Sequence, residues 1–196
     1  MAKRVAITGM GAVTAIGIGV EALWTAARDG RSAVGPIHRP GFERARVKHA
    51  AIVEGFDPLA YVTPQVNATL DRFSSMTAAA ADEALGAAGI RPGELDESCA
   101  VVIGSGIGGA ETIDHASRVY YREEEARGDP MIVPKIMPNA AASQISMRYG
   151  ARGPTFCVSS ACASSTQAVG MGAQMVRAGM VKRAVVGGSE AMVNPS

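Results

Sequence analysis

Thr155-Phe156-Cys157-Val158-Ser159-Ser160-Ala161-Cys162-Ala163-Ser164-Ser165-Thr166 joins a short apolar run to a long alanine- and glycine-rich pattern. The run Thr155–Val158 reads as an apolar strand, and the pattern after it reads as a helix. That order predicts Cys162 in the first turn of the helix. Unpaired backbone N–H groups and the helix dipole favour an anion there. A thiol so placed is drawn toward the thiolate, the form that attacks carbonyl carbon. The competing reading is a small buried core cysteine, because free cysteine is among the most buried residue types. Two serines before Cys162 and two after it argue against an inert apolar site.

Outward from this junction the same grammar repeats. Residues 5–8 read as a buried strand closed by Gly9-Met10-Gly11, and 20–29 as a helix stopped by Gly30. Residues 32–64 are mixed, with scattered proline and glycine, and read as an irregular excursion. An alanine-rich helix is predicted over 74–88, with Gly89 at its end. Residues 92–98 connect it to a second buried strand over 99–103, followed by Gly104-Ser105-Gly106-Ile107-Gly108-Gly109. A helix over 110–126 carries Glu123-Glu124-Glu125, read as a solvated face. Three prolines forbid regular structure throughout 128–138. The helix Ala140–Tyr149 ends at Gly150, and a last strand over 184–186 ends in Gly187-Gly188. Short apolar runs separated by helices predict an α/β fold with a mainly parallel sheet covered on both faces.

Composition narrows the function classes. The chain has 196 residues, 47% of them hydrophobic, and a net charge of +1. Near-neutrality offers no footprint for nucleic acid or an anionic membrane. The three cysteines lack metal-ligand spacing and fit a reducing cytosol. No stretch resembles a signal peptide, and the longest apolar runs are too short to cross a membrane. A cytoplasmic protein without a metal is expected. There is no tandem repeat and no low-complexity linker.

Several motifs have competing readings. Gly104-x-Gly106-x-x-Gly109 follows a strand and precedes a helix, the context of a dinucleotide site. The segment after its helix is rich in proline and is not a second strand ending in an acidic residue, which weighs against that reading. A tight strand-to-helix turn is the alternative, and on a third reading Ile107 lines a substrate pocket. His38, His49 and His115 are widely separated and read as surface or hydrogen-bonded histidines. Cys99 and Cys157 read as core. No Gly-x-Ser-x-Gly elbow is present, so Ser159, Ser160, Ser164 and Ser165 read as packing and hydrogen-bonding groups around the thiol. Asp71-Arg72 reads as an ion pair at a helix start.

Taken in order, these motifs resemble the N-terminal half of a β-ketoacyl-acyl-carrier-protein synthase of the type I/II class, in the thiolase superfamily. The matching stretches are 4–11, Asp71-Arg72-Phe73, 104–109, Gly150-Ala151-Arg152-Gly153-Pro154, 160–165 and Gly187-Gly188-Ser189-Glu190. They span almost all of the chain, and the dinucleotide reading falls away. The resemblance implies a thiolase-like layered α/β fold. It implies one domain over 1–196 equivalent to the N-terminal half, with the C-terminal half absent. It implies an acyltransferase that makes a 3-oxoacyl thioester by decarboxylative condensation with malonyl-carrier protein, in fatty-acid or polyketide synthesis. Cys162 matches the nucleophile, and its backbone N–H an oxyanion donor. Ile107 matches a residue lining the acyl pocket, and Ile132 one that reaches into the partner subunit's pocket.

The resemblance further implies no tightly bound cofactor, the substrates riding on the phosphopantetheine of an acyl carrier protein. A homodimer or a complementary C-terminal half is the expected partner. Two catalytic histidines, a lysine and a second oxyanion donor belong to that other half, so the lone chain is expected not to complete condensation. A non-catalytic acyl-binding or dimerisation module is the alternative. Some relatives carry basic residues just before Asp-Arg-Phe that dock the acidic carrier, whereas residues 61–70 contain no lysine or arginine.

Overall fold

The computed structural model describes residues 4–122 and 128–194. Its centre is a parallel sheet of three strands, ordered β6-β5-β7. β5 spans Cys99–Gly104, β6 Thr155–Val158 and β7 Arg183–Gly188. Successive side chains of β5 point to opposite faces, and both faces are covered. Ala100 and Val102 pack with Ala168, Met175 and Val181, beneath helix α7, Ser164–Arg177. Cys99, Val101 and Ile103 pack with Phe73, Leu85, Ile145 and Tyr149. These belong to helices α3, Arg72–Ala87, and α6, Ala140–Tyr149. Every residue of β5 is buried, which is why its sequence is continuously apolar rather than alternating.

The remaining elements surround this sandwich. A two-stranded hairpin, β1 Val13–Thr14 and β2 Gly17–Ile18, leads into helix α1, Val20–Arg28. The excursion over 32–64 contains an antiparallel ladder, β3 Val34–Pro36 with β4 His49–Ala51, and a 3-10 turn at Pro58–Ala60. A short helix α2, Pro64–Asn67, follows. Helix α4 spans Ala110–Arg122, and α5, Ile132–Ile136, occupies part of the proline-bearing segment. The run Glu123-Glu124-Glu125 lies outside the described residues.

The strand expected over 5–8 is not formed. This segment pairs with no strand, and Ile7 is 79% exposed. Residues 4–9 instead border an apolar cleft of about 410 Å³ whose other walls include β7 and α7. Just beyond, Gly9 and Gly11 lie so close to α3 that an added Cβ would run into the carbonyl oxygens of Ala84 and Ala80. The chain here crosses a helix rather than joining the sheet. An apolar run signals a need for cover, and cover need not be a ladder partner.

Asp71 and Arg72 do not pair with each other. Asp71 is buried and caps α3, its Oδ1 accepting from the Phe73 N–H at 3.1 Å. Its Oδ2 accepts from the Thr112 N–H of α4 at 2.8 Å. One carboxylate thus serves two helix N-termini, where negative charge is favourable. Arg72 donates instead to the Val53 carbonyl at 2.7 Å. Asp71→Ala removes a cap and strands the Thr112 N–H, so it is expected to cost about 2 kcal/mol of stability. Asp71→Asn keeps an acceptor and is expected to cost less. Denaturant unfolding of both variants checks the order.

Asp82 gives a prediction for pH. Its carboxylate accepts from Arg148 Nη2 at 2.6 Å and from the Tyr149 hydroxyl at 2.7 Å, joining α3 to α6. Burial pushes the carboxyl above its ordinary value of 3.8, while Tyr149 and Arg148 pull the other way. The folded state therefore holds this proton to higher pH than the unfolded chain does. The contribution to stability is fully present below the unfolded value and is lost as pH rises through the raised one. The stability of wild type minus that of Asp82→Asn is expected to fall as pH rises above 3.8. Unfolding midpoints over a pH series would contradict this if wild type gained stability relative to the variant as pH rose.

Candidate active site

The three parallel strands end in register, Gly104 opposite Val158 on one side and Gly188 on the other. Segments 105–109, 159–163 and 189–190 follow directly. They meet at the carboxyl edge of the sheet, where open α/β folds bind their ligands.

Cys162 stands at this edge and is exposed. Leaving β6, the chain makes two overlapping turns. The Ala163 N–H donates to the Ser160 carbonyl and the Ser164 N–H to the Ala161 carbonyl, each at 3.1 Å. Ala161 has φ 49° and is the one non-glycine residue with positive φ among the described residues. That conformation costs an alanine about 1–2 kcal/mol. Ser164 holds the bend, its hydroxyl donating to the Ala161 carbonyl at 2.7 Å and accepting from the Ser160 N–H at 2.9 Å. Ala163 is the N-cap of α7, so Cys162 precedes the helix rather than occupying its first turn. The expectation is corrected by the turn itself. Folding α7 back over the sheet consumes 160–163 before the helix can start. The thiol stays next to the positive end of the α7 dipole, but free of the helix backbone.

The neighbouring turn is locked by Glu190. Its Oε2 accepts from the Gly106 N–H at 2.7 Å and its Oε1 from the Ser105 hydroxyl at 3.2 Å. Ser105 Oγ accepts in turn from the Gly108 N–H at 2.9 Å. The Ser159 hydroxyl donates to the Gly106 carbonyl at 3.2 Å, tying the turn to the cysteine loop. Ile107 sits at the crown of this turn, 47% exposed. Gly104 allows the assembly to close. A Cβ there would lie 2.5 Å from the Ser164 carbonyl oxygen and 2.6 Å from the Ser165 nitrogen.

Ile132 lies elsewhere. It opens α5 and lines a cleft of about 530 Å³ with Leu70, Arg72, His115, Val119 and Lys135. Neither Ile107 nor Cys162 borders that cleft. His38 and His49 belong to the β3–β4 hairpin and His115 to α4. No histidine hydrogen-bonds to the cysteine loop among the described residues. The other two cysteines differ from Cys162 in kind. Cys99 is buried and Cys157 half-buried, and burial pushes both thiols up, away from the thiolate. No cluster suited to a metal ion occurs among the described residues, nor a helix long and apolar enough to cross a membrane.

Sequence reading gave no role to Glu190 or Ala161. Glu190 stood within a matched motif, and only the fold brings it to a turn 84 residues earlier. A left-handed alanine leaves no mark in sequence, where glycine is the usual signal.

The family model described as "Beta-ketoacyl synthase, N-terminal domain" matches residues 2–196. The 3-oxoacyl-[acyl-carrier-protein] synthase 2 of Synechocystis sp. is 30% identical over 194 residues, covering 98% of this chain and 47% of the relative. Nodulation protein E of Rhizobium sp. is 35% identical over 192 residues, covering 97% and 48%. The solved structure of the ishigamide ketosynthase/chain length factor superposes with a TM-score of 0.88 at 27% identity, covering 97% of this chain and 48% of that one. The chain therefore spans about half the length of the relatives it matches, and its layered α/β fold is theirs.

Proposed function

The chain belongs to the β-ketoacyl synthase family through its N-terminal domain, and from that premise we propose that it is the nucleophile-bearing part of a condensing acyltransferase. The observation that carries this reading is the exposed Cys162 thiol, held on a strained turn between β6 and α7 at the carboxyl edge of the sheet.

The proposed chemistry starts with an acyl group carried as a thioester on the phosphopantetheine of an acyl carrier protein. The Cys162 thiolate attacks the carbonyl carbon. A carbon–sulfur bond to Cys162 forms, the bond to pantetheine breaks, and the departing thiolate takes up the proton that Cys162 released. The Cys162 N–H is the donor for the oxyanion in the tetrahedral adduct. In the second stage a malonyl thioester loses carbon dioxide, and the electron pair left on carbon attacks the acyl carbonyl. The Cys162–acyl bond then breaks, releasing a 3-oxoacyl thioester and restoring the thiolate.

Ile107 presents an apolar rim to the acyl chain, and Ile132 reaches a neighbouring subunit's pocket. The reading involves no tightly bound cofactor and a cytoplasmic location. It includes a partner, either a second copy or the complementary part of the enzyme, that covers the exposed Val169 and Met171 of α7. Decarboxylation draws on groups outside the stretch that this chain shares with its relatives.

The test is to mix the chain with an acyl-carrier thioester and measure its intact mass under denaturing conditions. A gain of one acyl group supports the reading. That none of the three histidines hydrogen-bonds to the cysteine loop among the described residues favours a second reading, a non-catalytic acyl-binding or dimerisation module. Binding without a mass gain would support that module instead.

A further inference from the structure

We propose that the loop of the β3–β4 hairpin is the surface on which this chain docks an acidic carrier protein; the inference rests on the function proposed above and adds to it the place of contact. The hairpin stands apart from the central sheet. Val34 pairs with Ala51 and Pro36 with His49, and the Ile37 N–H extends the ladder to the Lys48 carbonyl at 2.9 Å. Between these residues the loop is built rather than loose. Phe42 is buried. Lys48 Nζ donates to the Phe42 and Glu43 carbonyls at 2.8 and 2.9 Å. Glu43, the loop's single carboxylate, accepts from the Gly41 N–H at 3.1 Å.

That arrangement leaves Arg39, Arg44 and Arg46 without a carboxylate partner among the described residues, and Arg44 and Arg46 are exposed. Arg39, Arg44, Arg46 and Lys48 against Glu43 alone give the loop a net charge of +3, in a chain whose net charge is +1. The rest of the chain is slightly acidic, so the positive field is local.

Position selects the partner. Arg39 and residues 51–53 form one wall of a small cleft whose other wall is 190–194. Glu190 lies two residues beyond the end of β7 and holds the turn beside the cysteine loop. Arg39 of the basic loop therefore borders a cleft that runs to Glu190, the residue that holds the turn beside the cysteine loop. Arg72, which also lines this cleft, anchors the hairpin base through the Val53 carbonyl. Residues 61–70 offer no such charge. Tyr61, Val62, Val66 and Leu70 instead face an apolar cleft of about 570 Å³ against α6. A partner that must deliver a thioester to Cys162 and carries an acidic surface finds its complement in the hairpin. Such complementarity speeds encounter and weakens with salt.

The experiment compares the full chain with the double variant Arg44→Glu, Arg46→Glu. Acyl transfer to Cys162 is measured from a carrier-borne thioester and from the free acyl-pantetheine thioester, and binding of the carrier is titrated at low and high salt. The preference for the carrier-borne donor is expected to fall at least tenfold in the variant, and wild-type carrier binding to weaken with salt. Equal loss with both donors, or no loss with either, overturns the proposal. If wild type accepts acyl from neither donor, the functional reading fails, and the titration alone decides the docking surface. Carrier binding lost in the variant then supports it, and binding kept or never present overturns it. Tighter binding of a duplex oligonucleotide than of the carrier, abolished by the same substitutions, also overturns it.

Discussion

Gly104→Ala is expected to lower stability by about 3 kcal/mol, the upper part of the range for overpacking a closed interior. The added methyl has nowhere to go. It meets the Ser164 carbonyl oxygen and the Ser165 nitrogen, which are backbone atoms of the α7 start. Relief requires α7 to lift from the end of β5. That movement also strains the Ser164 hydrogen bonds that shape the cysteine bend. Loss of stability and loss of Cys162 acylation should therefore go together. Denaturant unfolding and the acyl-mass assay measure both. A variant as stable as wild type would show that the close approach at Gly104 is not tight in solution.

Cys162→Ser is expected to do the reverse, leaving stability nearly intact and removing acyl transfer. The side chain is exposed, and exposed substitutions usually change stability by no more than about 0.5 kcal/mol. A serine hydroxyl, however, keeps its proton near neutral pH and needs an adjacent base to attack a thioester. No histidine hydrogen-bonds to this loop among the described residues, so the hydroxyl has no such help. Acylation is expected to fall by at least about a thousandfold. A serine variant that still gained an acyl group would place the nucleophile elsewhere.

Much of the fold is legible in the chain because its strongest signals are local. β5 is six apolar residues in a row and is buried on both faces. The helix Ala140–Tyr149 announces its end with Gly150, which adopts the left-handed cap. Segment 5–8 fails for a nonlocal reason: its apolar residues border a cleft without a ladder partner. The candidate site divides the same way. Cys162 is readable because strand, small residues and helix follow one another along the chain. Its exact seat before the helix depends on the left-handed Ala161, which has no sequence mark. Glu190, Asp71 and the hairpin cations gain their meaning from partners or clefts far along the chain.

On the proposed function Cys162 accepts the acyl group, and the chain carries its own controls in Cys99 and Cys157. The most direct measurement is peptide mapping of the full chain after brief exposure to an acyl-carrier thioester near neutral pH. The expected result is acyl on Cys162 itself, located within its peptide by fragment-ion sequencing because Cys157 shares that peptide, with the two covered thiols unmodified until the chain is unfolded. Acyl spread evenly over the three cysteines, or found on Cys157 with Cys162 free, would contradict it.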